Sequence, residues 1–295
     1  MKQRYIEVPS TWDELTEADW RDVLKLRQLV ATTGHQLTVM DVRIETAHRL
    51  LRNHGLKPQP GNTQWLLLVN QVADTLDWLW QDLERGLSLC YRSTEQLLPM
   101  VKVGQQQLLG PQSHGADLLF GEFRMAYAIM RNYEQRPSGR DLNVLAGLLY
   151  RPAASEELQR ERQLRRWPYE WDSMEQRERR GQQMRRWETW GIYAWFAYFC
   201  EYLTQGRFII DGEEVTFAPL FNADPAENQN NASGKDGKHG SSLQRICLTL
   251  AESHVFGTMK EVDQTPLLTV MMKLLQDYEQ LERLKKAAKR NQPKN

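Results

Sequence analysis

The sequence predicts a mainly α protein: a multi-helix, bundle-like architecture with a small β-hairpin element and a mobile Asn/Gly-rich loop. Three observations carry this. Apolar residues recur at three- and four-residue steps through most segments, the spacing that lines one face of a helix. Many of those segments open on a Ser, Thr, Asp or Pro start signal and close on Gly or Pro. The exceptions are a Gly/Pro-punctuated stretch near residue 100, an Asp-Gly pair at 211–212 and a polar low-complexity run after it.

In order along the chain, Thr11 and Glu14 have capping-box spacing, and Thr16 with Asp19 repeats the signal before Trp20, Val23, Leu24, Leu26 and Val30. A turn followed by a helix to about Thr32 is expected. Met40, Ile44, Ala47 and Leu51 mark a second helix, stopped by Gly55, the residue that tolerates the left-handed conformation just past a helix end. "TQWLLLVNQVADTLDWLWQDLERGL" (63–87) reads as one longer buried helix, with a strand as the alternative for its first apolar run. Residues 86–118 suggest a small β-hairpin or an ordered loop.

Phe120, Phe123, Tyr127 and Met130 then share a face, and "SGRDLNVLAGLLYRP" follows with Asp141 as its expected cap and Pro152 as its stop, giving an antiparallel helix pair. Residues 153–186 carry arginines at 160, 162, 165, 166, 177, 179, 180, 185 and 186 among Glu and Gln, and read as a polar, helical, solvent-facing connector. "WETWGIYAWFAYFCEYLTQG" is a helix apolar nearly all round, and Asp211-Gly212 between "RFII" and "EEVTF" signals a tight hairpin. "NADPAENQNNASGKDGKHGSS" has too little apolar surface to order itself, so a mobile loop is expected at 222–241. A helix with Ile246, Leu250 and Val255 on one side ends near Gly257, and Pro266 opens a long amphipathic helix with basic last turns. The expected organisation is an N-terminal helical domain (1–152), the connector (153–186) and a C-terminal helical region (187–295).

Composition excludes several function classes. Lys plus Arg and Asp plus Glu both total 38, so no long-range field draws the chain to nucleic acid or an anionic membrane. No run approaches the ~18–20 apolar residues of a spanning helix. With no apolar leader at the start and three cysteines without a CxxC pair, the expected home is the host cytoplasm. The six histidines form no HExxH or i,i+4 pair, and there is no GxSxG, GxxxxGK[ST] or GxGxxG. No enzyme activity, metal or cofactor is expected.

Two stretches carry the candidate sites. The arginine stretch, interleaved with Trp167, Tyr169, Trp171 and Trp187, has cations for phosphates and rings for bases; Arg165, Arg166, Arg185 and Arg186 are its candidate contacts. Against that, Glu161, Glu170, Asp172, Glu175 and Glu178 cancel about half its charge, which fits a salt-bridged solvated face better and disfavours nucleic acid. The aromatic helix would bury Ile192, Trp195, Phe196, Phe199, Cys200 and Leu203, with Tyr193, Tyr198 and Tyr202 at the rim. Helices of this composition are core or partner-binding surface, and Trp187, Trp190, Tyr193, Trp195, Tyr198 and Tyr202 are the candidate partner-binding residues.

"VPSTWDELTEADW", "LLFGEFRMAYAIMRNYEQRPSGRDLNVLAGLLYRP" and "LTLAESHVFGTMKEVDQTPLLTVMMKLL" resemble small helical proteins of phage and prophage tail regions of Bacteroidetes-type hosts, and among functional classes the tail assembly chaperones. The resemblance implies a non-enzymatic protein that binds hydrophobic helical segments of a tape-measure-type protein and helps recruit tail tube subunits. A structural tail or neck component of the virion is the neighbouring alternative.

Overall fold

The computed structural model describes residues 7–33, 37–59, 61–83, 86–221 and 257–290. It is mainly helical, with three separate two-stranded antiparallel hairpins and no larger sheet among the described residues.

The N-terminal part packs α1 (Glu17–Thr33), α2 (Val39–Asn53) and α3 (Thr63–Asp74) around Trp12, Trp20, Leu24, Leu50 and Val69. Thr16 and Asp19 form the expected reciprocal cap of α1, with each backbone N–H donating to the other's side chain at 3.0 and 3.2 Å. Thr11 makes no cap bond; Ser10 instead donates from its N–H and hydroxyl to Glu14, holding that carboxyl below its ordinary range. The single helix expected over 63–87 is also corrected. The α-helix ends at Asp74, and the chain turns into the hairpin β1 (Trp80–Leu83) and β2 (Gly86–Leu89). Tertiary partners decide this. The fully buried Trp80 donates its indole N–H to Thr46 at 2.9 Å, Arg43 donates to the Trp80 carbonyl at 2.7 Å, and Gly86 takes a φ of +99° that a helix forbids.

β3 (Met100–Val103) and β4 (Gln106–Leu109) turn at Gly104, with φ +59°, which realises the hairpin alternative for 86–118. The antiparallel pair follows as α4 (Phe120–Gln135) and α5 (Gly139–Leu149). Ser138, three residues before the expected cap Asp141, accepts from the Arg140 N–H and starts α5. Tyr150 ends it, donating its hydroxyl to the Leu98 carbonyl at 2.5 Å from full burial.

Residues 153–186 are solvent-facing only in part. They fold as α6 (Glu156–Arg162), a 3-10 turn (Tyr169–Trp171) and α7 (Met174–Gln182), and Arg166 and Arg177 are buried. α5 and α7 pack backbone against backbone. A Cβ on Gly147 would run into the Arg177 carbonyl, and one on Gly181 into that of Asn143.

α8 (Arg186–Gln205) is the long aromatic helix. Behind it come the expected hairpin, β5 (Phe208–Ile210) and β6 (Glu213–Val215), with Asp211 and Gly212 both at positive φ, and then α9 (Ala218–Phe221). The expected loop at 222–241 and the helix expected just before Gly257 lie outside the described residues. α10 (Met259–Gln264) and α11 (Leu267–Arg290) complete the chain, tied to the start of α4 by Phe120 N–H to Thr265 at 2.9 Å and Leu267 N–H to Leu118 at 2.8 Å. No described helix is long and apolar enough to cross a membrane.

The buried apolar side chains sort into two clusters that do not follow the expected division at 152. One holds residues from Trp12 to Leu98 together with Trp187; the other runs from Val101 to Met271. α8 belongs to both, through Trp187 and Trp190 at its start and Ile192 to Leu203 beyond.

Candidate binding groove

α8 has two unlike faces. Ile192, Trp195, Phe196, Phe199, Cys200 and Leu203 are buried as the spacing predicts, with Trp195 stacked on Phe199 at 5.6 Å and its indole N–H donating to the Thr94 carbonyl at 3.2 Å. The other face carries Trp190, Ala194, Ala197, Tyr198, Glu201 and Thr204, also at three- and four-residue steps, and opens onto a groove of about 800 Å³ whose floor Cys200 and Leu203 also reach. Phe123, Tyr127 and Met130 of α4, Met271 and Leu274 of α11, and Leu220 and Phe221 of α9 form further walls. Leu89 and Tyr91 arrive from the N-terminal part. Two alanines in the middle of the α8 face leave room between the larger rings of Trp190 and Tyr198.

The groove is apolar within and charged at its border. Arg131 and Glu134 pair at 2.7 Å, and Glu201 is exposed. Burial raises the Cys200 thiol well above its ordinary pKa, with Glu134 adding to it, so the thiol stays protonated and unreactive at neutral pH. Burial likewise raises the Tyr198 and Tyr127 phenols. The surface offers apolar contact with a few polar handles.

The six aromatic candidates are therefore divided. Trp190 and Tyr198 line the groove. Trp187 is buried against the N-terminal core, with the cationic groups of Arg21, Lys25 and Arg185 between 5.7 and 5.9 Å from its ring, and Trp195 is core. Tyr193 packs edge-on against Tyr133 at 4.8 Å, where burial pushes its phenol up to about 12. Tyr202 donates to the Arg207 carbonyl at 2.6 Å and packs on Phe208. Trp190 is itself held, with the Arg27 guanidinium 3.8 Å over its ring and burial lowering that arginine to about 10. The sequence reading missed Ala194 and Ala197, whose signal was their spacing from Trp190 and Glu201. Leu89, Leu220 and Met271 had no local signal at all.

The arginine candidates divide too. Arg166, 3% exposed, pairs with the fully buried Glu122 at 2.9 Å and with Asp117 at 3.2 Å, and Arg151 reaches the same Glu122 at 2.8 Å. Arg165 pairs with Asp117 at 3.0 Å and donates to the Gly110 carbonyl. These guanidiniums are spent inside the fold. Arg185 and Arg186 are exposed, and Arg186 borders a second hollow of about 400 Å³ with Tyr133, Asn143 and Thr189.

His114, at φ +58°, accepts or donates at Thr94 over 2.6 Å and lies 3.1 Å from Glu95, an arrangement that resembles a nucleophile, base and acid. The Thr94 hydroxyl is buried, however, and neither cavity above includes it. No group of three His, Cys, Asp or Glu could hold a metal ion among the described residues. No family model matches the chain, and neither curated proteins nor solved structures give a match.

Proposed function

We propose that this chain is a non-enzymatic assembly factor of the tail assembly chaperone kind, acting in the host cytoplasm and holding apolar helical segments of a tape-measure-type protein in the α8 groove. Tail tube subunits would be further partners. The groove is the observation that supports the reading: an aromatic and Met-lined trough of about 800 Å³ with alanines at its centre, where a partner helix can approach closely. Met and aromatic walls suit a binder that accepts varied apolar sequences, because thioether chains repack and rings contribute large contact area at small entropic cost.

The test is co-expression with a tape-measure-like protein encoded beside this chain. The wild type should raise the client's soluble fraction and co-purify with it. Ala197→Arg, at a half-buried groove position, should abolish the complex while leaving the thermal midpoint in place. Arg185→Gln with Arg186→Gln should leave the complex intact. A client equally soluble without this chain would sink the proposal. A complex lost only in the double Arg variant, or broken by added nucleic acid, would move the function to the nucleic-acid reading. Mass spectrometry of finished particles separates an assembly factor, which should be absent, from a virion component.

A further inference from the structure

The C-terminal helix α11 changes role along its length. Leu267, Val270 and Met271 are buried in the larger core, whereas Leu281 and Leu284 are 57% and 59% exposed. The spacing Leu267, Met271, Leu274, Tyr278, Leu281 is an unbroken alternation of four- and three-residue steps. One apolar strip therefore starts in the core and continues along the helix beyond it, the pattern of a helix that meets another helix. The stretch from Gln276 to the end of α11 is about 22 Å long at about 1.5 Å per residue.

The charges on that stretch are sorted. Asp277, Glu279 and Glu282 precede Arg283, Lys285 and Lys286, so an acidic block is followed by a basic one. Within the helix Arg283 pairs with Glu279 at 3.6 Å and Lys285 with Glu282 at 3.4 Å, both exposed, while Asp277 pairs back toward the core with Lys273. Exposed pairs of this kind contribute little and exchange partners readily. A second copy laid parallel would set acid on acid and base on base. A second copy laid antiparallel sets each acidic block on the other's basic block, twice by symmetry, with Leu281 and Leu284 of both copies at the centre.

We infer that the distal half of α11 is a self-docking surface that pairs two copies of this chain antiparallel about a twofold axis near residues 282–283. Such an interface is self-complementary, as a twofold dimer requires, and its small area places it among weak, reversible associations. It does not depend on what the α8 groove binds.

Sedimentation equilibrium on the full chain from about 5 to about 200 µM, a range that brackets a weak dimer, tests this. The expected result is a monomer at the low end that becomes a dimer at the high end. Leu281→Lys with Leu284→Lys should remain monomeric throughout with an unchanged helical spectrum. Raising the salt from about 0.05 to about 0.5 M should weaken the dimer, since screening removes the attraction between blocks. A wild type that stays monomeric at the highest concentration overturns the inference. So does a dimer that survives in the double Leu variant, or one that tightens with salt, which would be the mark of a parallel pair.

Discussion

Glu122 is fully buried and has two guanidiniums, Arg151 and Arg166, within 2.9 Å. Arg151 also donates to the carbonyls of Trp167, at 2.6 Å, and Leu148, and Arg166 to that of Leu149 at 2.6 Å. Each charge therefore meets an opposite charge or a carbonyl dipole, the condition under which a buried ion cluster can persist. Removing the shared carboxylate leaves Arg151, among the described residues, without an ion-pair partner and Arg166 with Asp117 alone. Glu122→Ala should cost about 3–5 kcal/mol, read by denaturant titration. The same substitution in an Arg166→Ala background should cost less, since one of the two guanidiniums that Glu122 neutralises is already gone, and full additivity would contradict the shared-site geometry. The sequence shows these residues as unremarkable members of charge-mixed stretches. Their burial is set by partners 29 and 44 residues apart in the chain, which no local pattern can reveal.

Among the elements, α5 and α7 illustrate how a stretch without an apolar face can still be core. α7 is nearly all polar, yet it lies against α5 because Gly147 and Gly181 let the two backbones meet and Arg180 donates to the Gly147 carbonyl at 2.7 Å. Gly147→Ala or Gly181→Ala should each destabilise by about 1–3 kcal/mol through forced separation of the helices. Gly139→Ala, where a Cβ meets open space, should stay within about 0.5 kcal/mol of wild type. Equal effects at all three positions in thermal melts would refute close packing as the cause. α8 teaches a complementary lesson. Its buried seam was legible from three- and four-residue spacing, and so was the tight turn at Asp211-Gly212. Which of its rings reach the groove was not legible, because Tyr193, Tyr198 and Tyr202 look alike in sequence and differ in their distant neighbours: Tyr133 for the first, Tyr91 and the groove for the second, Arg207 and Phe208 for the third.

For the whole molecule, α8 links the two apolar clusters, and Gly191 permits it, since a Cβ there would press on Leu24 of α1. Unfolding either cluster would strip one end of the same helix. The two should accordingly melt together, with tryptophan fluorescence, seven of whose ten reporters (Trp12, Trp20, Trp65, Trp78, Trp80, Trp187 and Trp190) lie in or against the N-terminal cluster, tracing the same transition as helical circular dichroism. Two separated transitions would show that the clusters are independent. By itself the sequence determined the helical class, the Thr16/Asp19 cap, the hairpin at 211–212 and the amphipathic pattern of α11, because each follows from neighbouring residues and backbone preference. Only the tertiary structure decided that Arg166 and Arg177 of the arginine stretch are buried while Arg185 and Arg186 stay exposed, that Trp80–Leu83 pairs with Gly86–Leu89, and that one face of α8 opens on a groove. Those outcomes depend on which distant side chains supply hydrogen-bond partners, opposite charge or contact, and such partners are set by the fold.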